Sequence, residues 1–323
     1  MLWTIRKEKI KLKFSVVIPL YNKEHYIEKT LDSVLKQTFQ DFEILVVDDG
    51  SSDDSLAAAK KVVSDKIKII EQPNQGVSVA RNTGILNAKG TYIAFLDADD
   101  EWRENYLETI NELTNEYTQS DIYVTAYAVC MGNGKVNLST QLEPEKGCLD
   151  SYWLTLAKGY DFVWTSATTI RREALINAGC FKPGEKIGQD LDMWARVAKN
   201  NPKVAYSSKI CVNYNRAAEA NARTRVRIAW ADAFIRDLEE QLNNPERTDM
   251  ERDSIQKKYD KKMTVYIFTC ILAGEKKRAT EALRSWKGEK NTRNNLLRVG
   301  LSIAKLMPTK VNQWIYGIRL KVF

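Results

Sequence analysis

Residues 90–100 read GTYIAFLDADD, an apolar run that ends in three aspartates. A run without polar alternation predicts a strand buried on both faces, as in a parallel sheet. Side chains two apart in an extended segment share a face, so Asp97 and Asp99 should project together, with Asp100 just beyond the strand. Clustered carboxylates repel one another unless a cation neutralises them, and oxygen ligands suit Mg²⁺ or Mn²⁺. The three aspartates are therefore candidate metal ligands, with a solvated acidic turn as the alternative.

The surrounding sequence alternates apolar runs with helical patterns. Strands are predicted at residues 14–20, 43–47, 67–70, 91–96 and 121–129, and helices at residues 24–36, 54–63, 77–88 and 104–117. This alternation predicts an α/β fold with crossover connections and a mainly parallel sheet. Ligands of such sheets collect at the carboxyl ends of the strands, where polar clusters occur at residues 19–22, 48–53 and 97–100. We expect one shared cleft.

Three side chains, two from these clusters and one from the helix after the third strand, suggest recognition of a nucleotide. One acidic side chain is enough to cap the helix after the second strand. At least one of Asp48 and Asp49 therefore remains available to accept a hydrogen bond from a ligand, for example from the imide N–H of uracil. Arg81, in the helix after the third strand, should face the same cleft. Its guanidinium matches the paired oxygens of a diphosphate, although a bond to a neighbouring strand-end aspartate is equally compatible.

Composition excludes several classes of protein. The chain has 323 residues, of which 44% are hydrophobic and 28% charged, values ordinary for a soluble globular protein of about two domains. Five cysteines without paired spacing favour reduced thiols, a cytosolic compartment and no zinc site. A single histidine argues against Ser-His-Asp catalysis. The start lacks the apolar core of a signal peptide, and no apolar run is long enough to cross a bilayer.

Charge is unevenly distributed along the chain. Residues 1–220 contain 27 Lys and Arg against 30 Asp and Glu, whereas residues 221–323 contain 22 against 12. A basic C-terminal part indicates an anionic partner, such as lipid or an acidic protein, with nucleic acid ranked lower. Residues 295–323 interleave apolar and aromatic residues with lysines and arginines. They could lie in a membrane interface, pack on the preceding domain or pair two subunits, and amphipathicity alone does not separate these alternatives.

The ordered motifs closely resemble the family 2 glycosyltransferases, which are inverting enzymes with the GT-A fold. The resemblance rests on six segments in order: residues 16–22 (VVIPLYN), 48–51 (DDGS), 80–84 (ARNTG), 97–100 (DADD), 178–181 (AGCF) and 188–196 (GQDLDMWAR). It covers about residues 14–212 and implies a GT-A catalytic domain, which we place at residues 14–218. Outside the resemblance, the charge and helical patterns predict a basic leader at residues 1–13 and a basic helical region at residues 219–323.

The resemblance also implies roles for individual residues. Pro19, Tyr21, Asp48 and Asp49 would border the nucleotide base, and Arg81 would approach the diphosphate. Asp99 and Asp100, with Asp97, would reach a Mn²⁺ or Mg²⁺ ion and the donor sugar. Asp190 would be the general base, with Asp192 as the competing candidate. One departure is Gln189, since the family often has an acid there.

The expected activity is transfer of a sugar, with inversion, from a nucleoside-diphosphate sugar, UDP-linked by preference, to a saccharide or lipid-linked saccharide. The alternative is a non-catalytic GT-A-like module that binds saccharide or lipid. Surface-polysaccharide synthesis, peripheral contact with the inner face of the membrane and a homodimer are further expectations. Three tryptophans could stack on a sugar: Trp153, Trp164 and Trp194. Because buried aromatic side chains more often belong to a core, we expect only one of them, Trp164, to line the acceptor pocket.

Overall fold

The computed structural model describes residues 12–286, except residues 132, 135, 140–141, 158–161 and 217–232. Within these residues the strands are β1 Phe14–Leu20, β2 Phe42–Asp48, β3 Ile67–Glu71, β4 Tyr92–Phe95, β5 Glu101–Trp102, β6 Ile122–Cys130, β7 Val136–Leu138, β8 Lys146–Leu149, β9 Thr168–Arg171 and β10 Val204–Asn215. The helices are α1 Ile27–Leu35, α2 Ser55–Lys61, α3 Val77–Asn87, α4 Tyr106–Glu116, α5 Arg172–Asn177, α6 Gln189–Asn200, α7 Phe234–Leu242, α8 Asp249–Leu272 and α9 Lys276–Ser285. The predicted strands and helices up to residue 130 are confirmed, with ends shifted by one to three residues.

A single sheet with the order β3-β2-β1-β4-β9-β6-β10-β5 organises the described chain, while β7 and β8 pair with β6 and β10. The pairs β2–β3, β1–β2, β1–β4 and β6–β10 are parallel. The predicted α/β class with a mainly parallel sheet is thus confirmed. Sequence analysis missed β9, which lies antiparallel between β4 and β6. It has only four residues, too few for a periodic signal.

Both faces of the sheet are covered, which explains the continuous apolar runs. Along β1, Val17 belongs to one core cluster, whereas Val16 and Ile18 belong to the other. This split follows the two-residue period of a strand. Helices α1, α2 and α4 cover one face, and α3, α6 and the C-terminal helices cover the other.

The described C-terminal helices pack on the same core as α6. Phe234 and Leu238 of α7 and a face of α8 that includes Ile255, Tyr259 and Ile267 belong to the core cluster that contains Val17. Ser254 of α8 also donates a hydrogen bond to the backbone carbonyl of Trp153 at 2.7 Å. Residues 234–285 therefore extend the core of the sheet. The leader, the expected boundary near residue 218 and the segment at residues 295–323 fall largely or wholly outside the described residues.

Among the residues that the structure describes, no helix combines the length and apolar composition needed to cross a membrane.

A buried acidic pair joins α6 to α7. Asp192 is 1% exposed and pairs with Lys182 at 2.7 Å and with Arg196 at 2.8 Å. Asp237 of α7 is also buried, and its nearest lysine, Lys199, is 3.6 Å away. Burial and the neighbouring Asp192 carboxylate raise the pKa of Asp237 to about 7. Asp237 is therefore the acid of this pair that carries the proton.

The first prediction concerns stability. The folded-state pKa of Asp237 lies above its unfolded value of 3.8. The contribution of Asp237 to the free energy of unfolding is therefore complete below pH 3.8 and is lost as pH rises through about 7. The free energy of unfolding should therefore fall by about 1 kcal/mol between about pH 6 and about pH 8. Urea unfolding of wild type and Asp237→Asn measures this decrease in the free energy of unfolding, and the variant should not show it. The exposed Asp32→Asn is the control and should retain it; an equal slope in Asp237→Asn would contradict the assignment.

Candidate functional site

The carboxyl ends of β1, β2 and β4 open into a cleft of about 420 Å³. Its lining includes Pro19, Tyr21, Lys23, Asp49, Arg81, Asp97, Asp99 and Gln189. Parallel strands deliver their ends to one edge. This accounts for seven of these residues, since Pro19 lies near the end of β1 and the other six follow β1, β2, β3 or β4. Gln189 comes from the start of α6, about 90 residues later in the chain. The predicted clusters therefore do share one cleft.

The two aspartates after β2 have different environments. Asp49 lines the cleft, and its carboxylate accepts hydrogen bonds from the Gln72 side chain at 2.7 Å and from the backbone N–H groups of Gln75 and Gly76 at 3.0 and 2.8 Å. It thereby fixes the loop that leads into α3. Asp48 is buried behind the cleft, where one oxygen accepts a 3.3 Å bond from the Ser51 N–H and the other has no hydrogen-bond partner in the described chain. Only Asp49 is positioned to meet a ligand.

Tyr21 and Pro19 also line the cleft. Tyr21 is 42% exposed, one of the larger exposed aromatic surfaces of the described chain, whereas Leu20 beside it is fully buried. An exposed aromatic ring at the rim of a polar cleft offers a flat apolar face to a planar ligand.

Arg81 supplies buried positive charge to the cleft. It is 4% exposed, donates a 2.8 Å hydrogen bond from Nη2 to Asp97, and stacks over the Phe181 ring at 5.4 Å. Its Nε and Nη1 atoms have no hydrogen-bond partner among the described residues. One turn later, a Cβ on Gly84 would lie 2.4 Å from Val17, so the glycine permits α3 to approach β1 closely. Arg81 is thus held at the strand ends with two unpaired donors, and an unmade buried hydrogen bond is costly unless a ligand completes it.

The three aspartates after β4 diverge. Asp97 pairs with Arg81, and Asp99 pairs with the ammonium group of Lys23. Asp100 is 1% exposed and points inward, accepting hydrogen bonds from the Ser166 hydroxyl and, at 2.9 Å, from the backbone N–H of Asn215. In the part of the chain that the structure describes, no three acidic, histidine or cysteine side chains converge as a metal cluster.

Asp97 and Asp99 line the cleft, whereas Asp100 is not among the lining residues. Burial, followed by the neighbouring carboxylates of Asp99 and Asp97, raises the pKa of Asp100 well above its usual range. Its bonds to Ser166 and Asn215 instead tie the loop at residues 97–100 to the sheet.

Asp190 is the second residue of α6, directly after Gln189, which lines the cleft; Asp190 itself is not a lining residue. The helix starts after Gly188, whose φ of +74° belongs to the left-handed region that favours glycine. The half-buried Asp190 carboxylate accepts one hydrogen bond from the Thr165 hydroxyl at 3.0 Å and another from the Leu191 N–H at 2.9 Å. Asp192, the competing candidate, is buried and paired with Lys182 and Arg196, whereas Asp190 is paired with no cationic side chain among the described residues.

A short 3-10 helix, Thr165–Ala167, joins Asp190 to the loop at residues 97–100. Thr165 bonds to Asp190, and the adjacent Ser166 accepts a 3.2 Å bond from the Asp97 N–H and donates to Asp100. Segments 90 residues apart are thereby bridged by two consecutive hydroxyl side chains. Sequence analysis missed both roles, because the contacts exist only in the tertiary fold.

Lys23 was also missed, although a signal existed. It follows β1 directly after Tyr21 and Asn22, where a cationic residue at a strand end faces the same edge as the aspartates. A lysine at this edge can neutralise the charge of the clustered aspartates.

The three tryptophans differ in burial. Trp153 and Trp194 are fully buried in the core. Trp164 is partly exposed and packs between Tyr127 and Tyr214, with ring centroids 5.7 and 4.5 Å away. It does not line the cleft itself; it stands next to Thr165, on the Asp190 side.

Comparison with known proteins identifies relatives of this arrangement. The chain is 44% identical over 117 residues to the glycosyltransferase GlyA of Streptococcus pneumoniae, a match that covers 36% of this chain and 17% of GlyA. It is 38% identical over 171 residues to a glycosyltransferase of Nostoc sp. strain PCC 7120, covering 51% of this chain and 52% of that protein. The matched segment thus spans about half or less of the length of these relatives.

Two solved structures share the fold. S. aureus TarS, residues 1–349, superposes with a TM-score of 0.64 at 18% identity, covering 94% of this chain and 91% of that one. The same fragment has been solved with UDP-GlcNAc and with UDP. A mannosyltransferase of Pyrobaculum calidifontis, solved with GDP-Man and Mn²⁺, superposes with a TM-score of 0.57 at 16% identity over 97% of this chain and 86% of its own.

These similarities agree with the predicted GT-A architecture of a central sheet flanked by helices. The model of the family "Glycosyl transferase family 2" matches residues 15–179, the segment that contains β1, Asp49, Arg81, Asp99 and Thr165. This match covers about half of the chain, and the chain therefore belongs to glycosyl transferase family 2.

Proposed function

We propose that this chain transfers a sugar, with inversion, from a nucleoside-diphosphate sugar, UDP-linked by preference, to a hydroxyl group of a saccharide or lipid-linked saccharide. The observation that carries this proposal is one cleft lined by Arg81, Asp99 and Gln189, in which two buried donor atoms of Arg81 have no hydrogen-bond partner among the described residues. In this proposal Arg81 binds the diphosphate, Asp99 binds a cation, and Asp190, which follows Gln189, accepts a proton.

The donor half of the cleft supports a nucleoside diphosphate. The Nε and Nη1 atoms of Arg81, which have no hydrogen-bond partner among the described residues, offer buried, positively charged N–H donors to phosphate oxygens. The exposed ring of Tyr21 offers a face to the base, and Asp49, held by the loop at residues 72–76, offers an acceptor to an imide N–H. The UDP complexes of TarS, a protein of the same fold, support uracil as that base.

The residues also fit a divalent cation held jointly with the donor. Asp99 already binds a cation, the Lys23 ammonium group, and Mg²⁺-type ions commonly use one or two carboxylates together with substrate phosphates. The Mn²⁺ in the related mannosyltransferase structure supports the same assignment. Asp99, with Asp97 beside it, would hold the ion, whereas Asp100 would support the loop. When bound, the cation would offset the negative charge that develops on the departing diphosphate.

Asp190 takes the acceptor proton in this proposal. The acceptor oxygen attacks the anomeric carbon from the side opposite the diphosphate, and the bond to the phosphate oxygen breaks with its electron pair leaving on the diphosphate. The hydroxyl proton moves to the Asp190 carboxylate. Attack from the opposite side inverts the anomeric centre, so one base suffices, and a positioned base contributes about 10²–10⁴-fold.

The direct test measures sugar transfer and UDP release with a panel of nucleoside-diphosphate sugars in the presence of Mn²⁺ and saccharide acceptors. Turnover of one donor, with an inverted anomeric configuration in the product, would support the proposal. Failure of every nucleoside diphosphate to bind would overturn it.

The second prediction separates catalysis from binding. Asp190→Asn should lower kcat by about 10²–10⁴-fold, because the amide cannot accept the acceptor proton, while UDP affinity should stay within about twofold. Steady-state kinetics and calorimetric UDP titration provide the two readouts. Asp65→Asn, an exposed acid outside the cleft, is the control. If Asp190→Asn retained full transfer, another residue would be the base.

The third prediction separates the aspartates after β4. Asp99→Asn should abolish the gain in UDP affinity produced by Mn²⁺, because it removes the carboxylate that faces the cleft. Asp100→Asn, whose side chain points inward, should keep most of that gain. Lys23→Met should increase the affinity for Mn²⁺ alone, because Asp99 then loses its competing ammonium ion.

Calorimetry with UDP and Mn²⁺, together with the electron paramagnetic resonance signal of free Mn²⁺, measures these effects. Thermal unfolding of each variant verifies that the fold is intact. A full Mn²⁺-dependent gain in Asp99→Asn, or its loss in a well-folded Asp100→Asn, would contradict the assignment of the ion to Asp99.

A further inference from the structure

We propose that Thr165 is a positioning residue for the general base: its hydroxyl group fixes the orientation of the Asp190 carboxylate toward the acceptor. The inference rests on the proposed function, in which Asp190 is the base. It adds a residue whose role is visible only in the contacts between the 3-10 helix and α6.

Two donors from different elements hold the carboxylate. Thr165 Oγ1 donates to Oδ2 at 3.0 Å, and the Leu191 N–H, which belongs to the first turn of α6, donates to Oδ1 at 2.9 Å. The helix alone would fix one oxygen and leave the carboxylate free to turn about its terminal torsion, which is a soft one. With the second bond, the plane of the carboxylate is determined.

Thr165 can do this because its own position is fixed. It is 3% exposed and begins a 3-10 helix that is anchored at both sides. On one side, the Trp164 ring packs between Tyr127 and Tyr214, and the Trp164 carbonyl accepts a 2.6 Å bond from Thr168. A buried threonine in such a setting has little rotational freedom, since β-branching already restricts its first side-chain torsion.

The other anchor connects Thr165 to the donor half of the cleft. The backbone carbonyl of Ser166 accepts a 2.7 Å bond from the Trp102 indole, and its hydroxyl contacts the Asp97 N–H and the Asp100 carboxylate. Two consecutive residues therefore contact different parts of the site. Ser166 contacts the loop that carries Asp99, and Thr165 contacts the proposed base, Asp190. The 3-10 helix sets the separation between them, and misplacement of a catalytic group by about 1 Å can cost about 10²-fold in rate.

The fourth prediction compares two matched variants of Thr165. Thr165→Val keeps the shape but removes the hydroxyl, so kcat should fall by about 10- to 100-fold while the donor KM and UDP affinity stay within about twofold. Thr165→Ser keeps the hydroxyl and should restore kcat to within about threefold of wild type. Rescue by serine distinguishes loss of the hydrogen bond from loss of packing.

Ser166→Ala provides the contrasting control from the same 3-10 helix. Because Ser166 touches the loop at residues 97–100, its loss should weaken Mn²⁺-dependent UDP binding more than it lowers kcat. Thermal unfolding measures any general destabilisation, and the kinetics of each variant are measured well below its melting temperature. If Thr165→Val and Ser166→Ala weakened UDP binding equally, or if Thr165→Ser failed to rescue kcat, Thr165 would be part of the general packing and the inference would be overturned.

The same experiments distinguish this inference from the proposed function. Absence of transfer by wild type with every donor would overturn the proposed activity. Normal transfer by wild type, loss in Asp190→Asn and an undiminished kcat in Thr165→Val would overturn the role of Thr165 alone.

Discussion

Burial of β1 on both faces is the constraint on which the rest of this structure depends. A strand that places Val17 in one core cluster and Val16 and Ile18 in the other needs helices on both sides of the sheet. Helical crossovers in turn make the neighbouring strands β2 and β4 parallel to β1. Their ends must then meet at one edge, where Tyr21, Asp49 and Asp99 share a cleft.

The negative charges of the acids that converge at that edge repel one another, and individual carboxylates have partners that offset this repulsion. Asp97 is offset by Arg81, Asp99 by Lys23, and Asp49 by three hydrogen-bond donors. Asp100 is buried and is bonded to Ser166 and Asn215, and burial and its acidic neighbours raise its pKa. Two carboxylates of the cleft are thus each in contact with a cationic side chain. Such an arrangement is suited to replacing one cation by another and to binding a polyanion.

The C-terminal helices matter to the site through α6. Helix α6 carries Asp190 at its start and the buried pair of Asp192 and Asp237 at its contact with α7. Helices α7 and α8 continue the core that underlies β1 and Phe95. The proposed base therefore stands on a helix held between the sheet on one side and the C-terminal helices on the other. The alternatives considered for residues 295–323 stay predictions, because those residues lie outside the described chain.

Much of the fold followed from the sequence, because local patterns carry that information. Apolar runs and helical periods located β1 to β4 and α1 to α4, and the order of polar clusters predicted their common cleft. The short antiparallel β9 was missed because four residues have no measurable period. Spacing along a strand predicted that Asp97 and Asp99 project together, but it could not reveal that Asp100 turns inward to Ser166 and Asn215.

The sequence by itself determined the class of fold, the edge at which ligands collect and the family, since these depend on periodicity and on motifs within short segments. Only the tertiary structure decided which acids face the cleft, which partner each of them has, and that Thr165 is bonded to Asp190. Such pairings join residues from 16 to 115 positions apart. They depend on how helices and strands pack, and no local pattern of residues records that geometry.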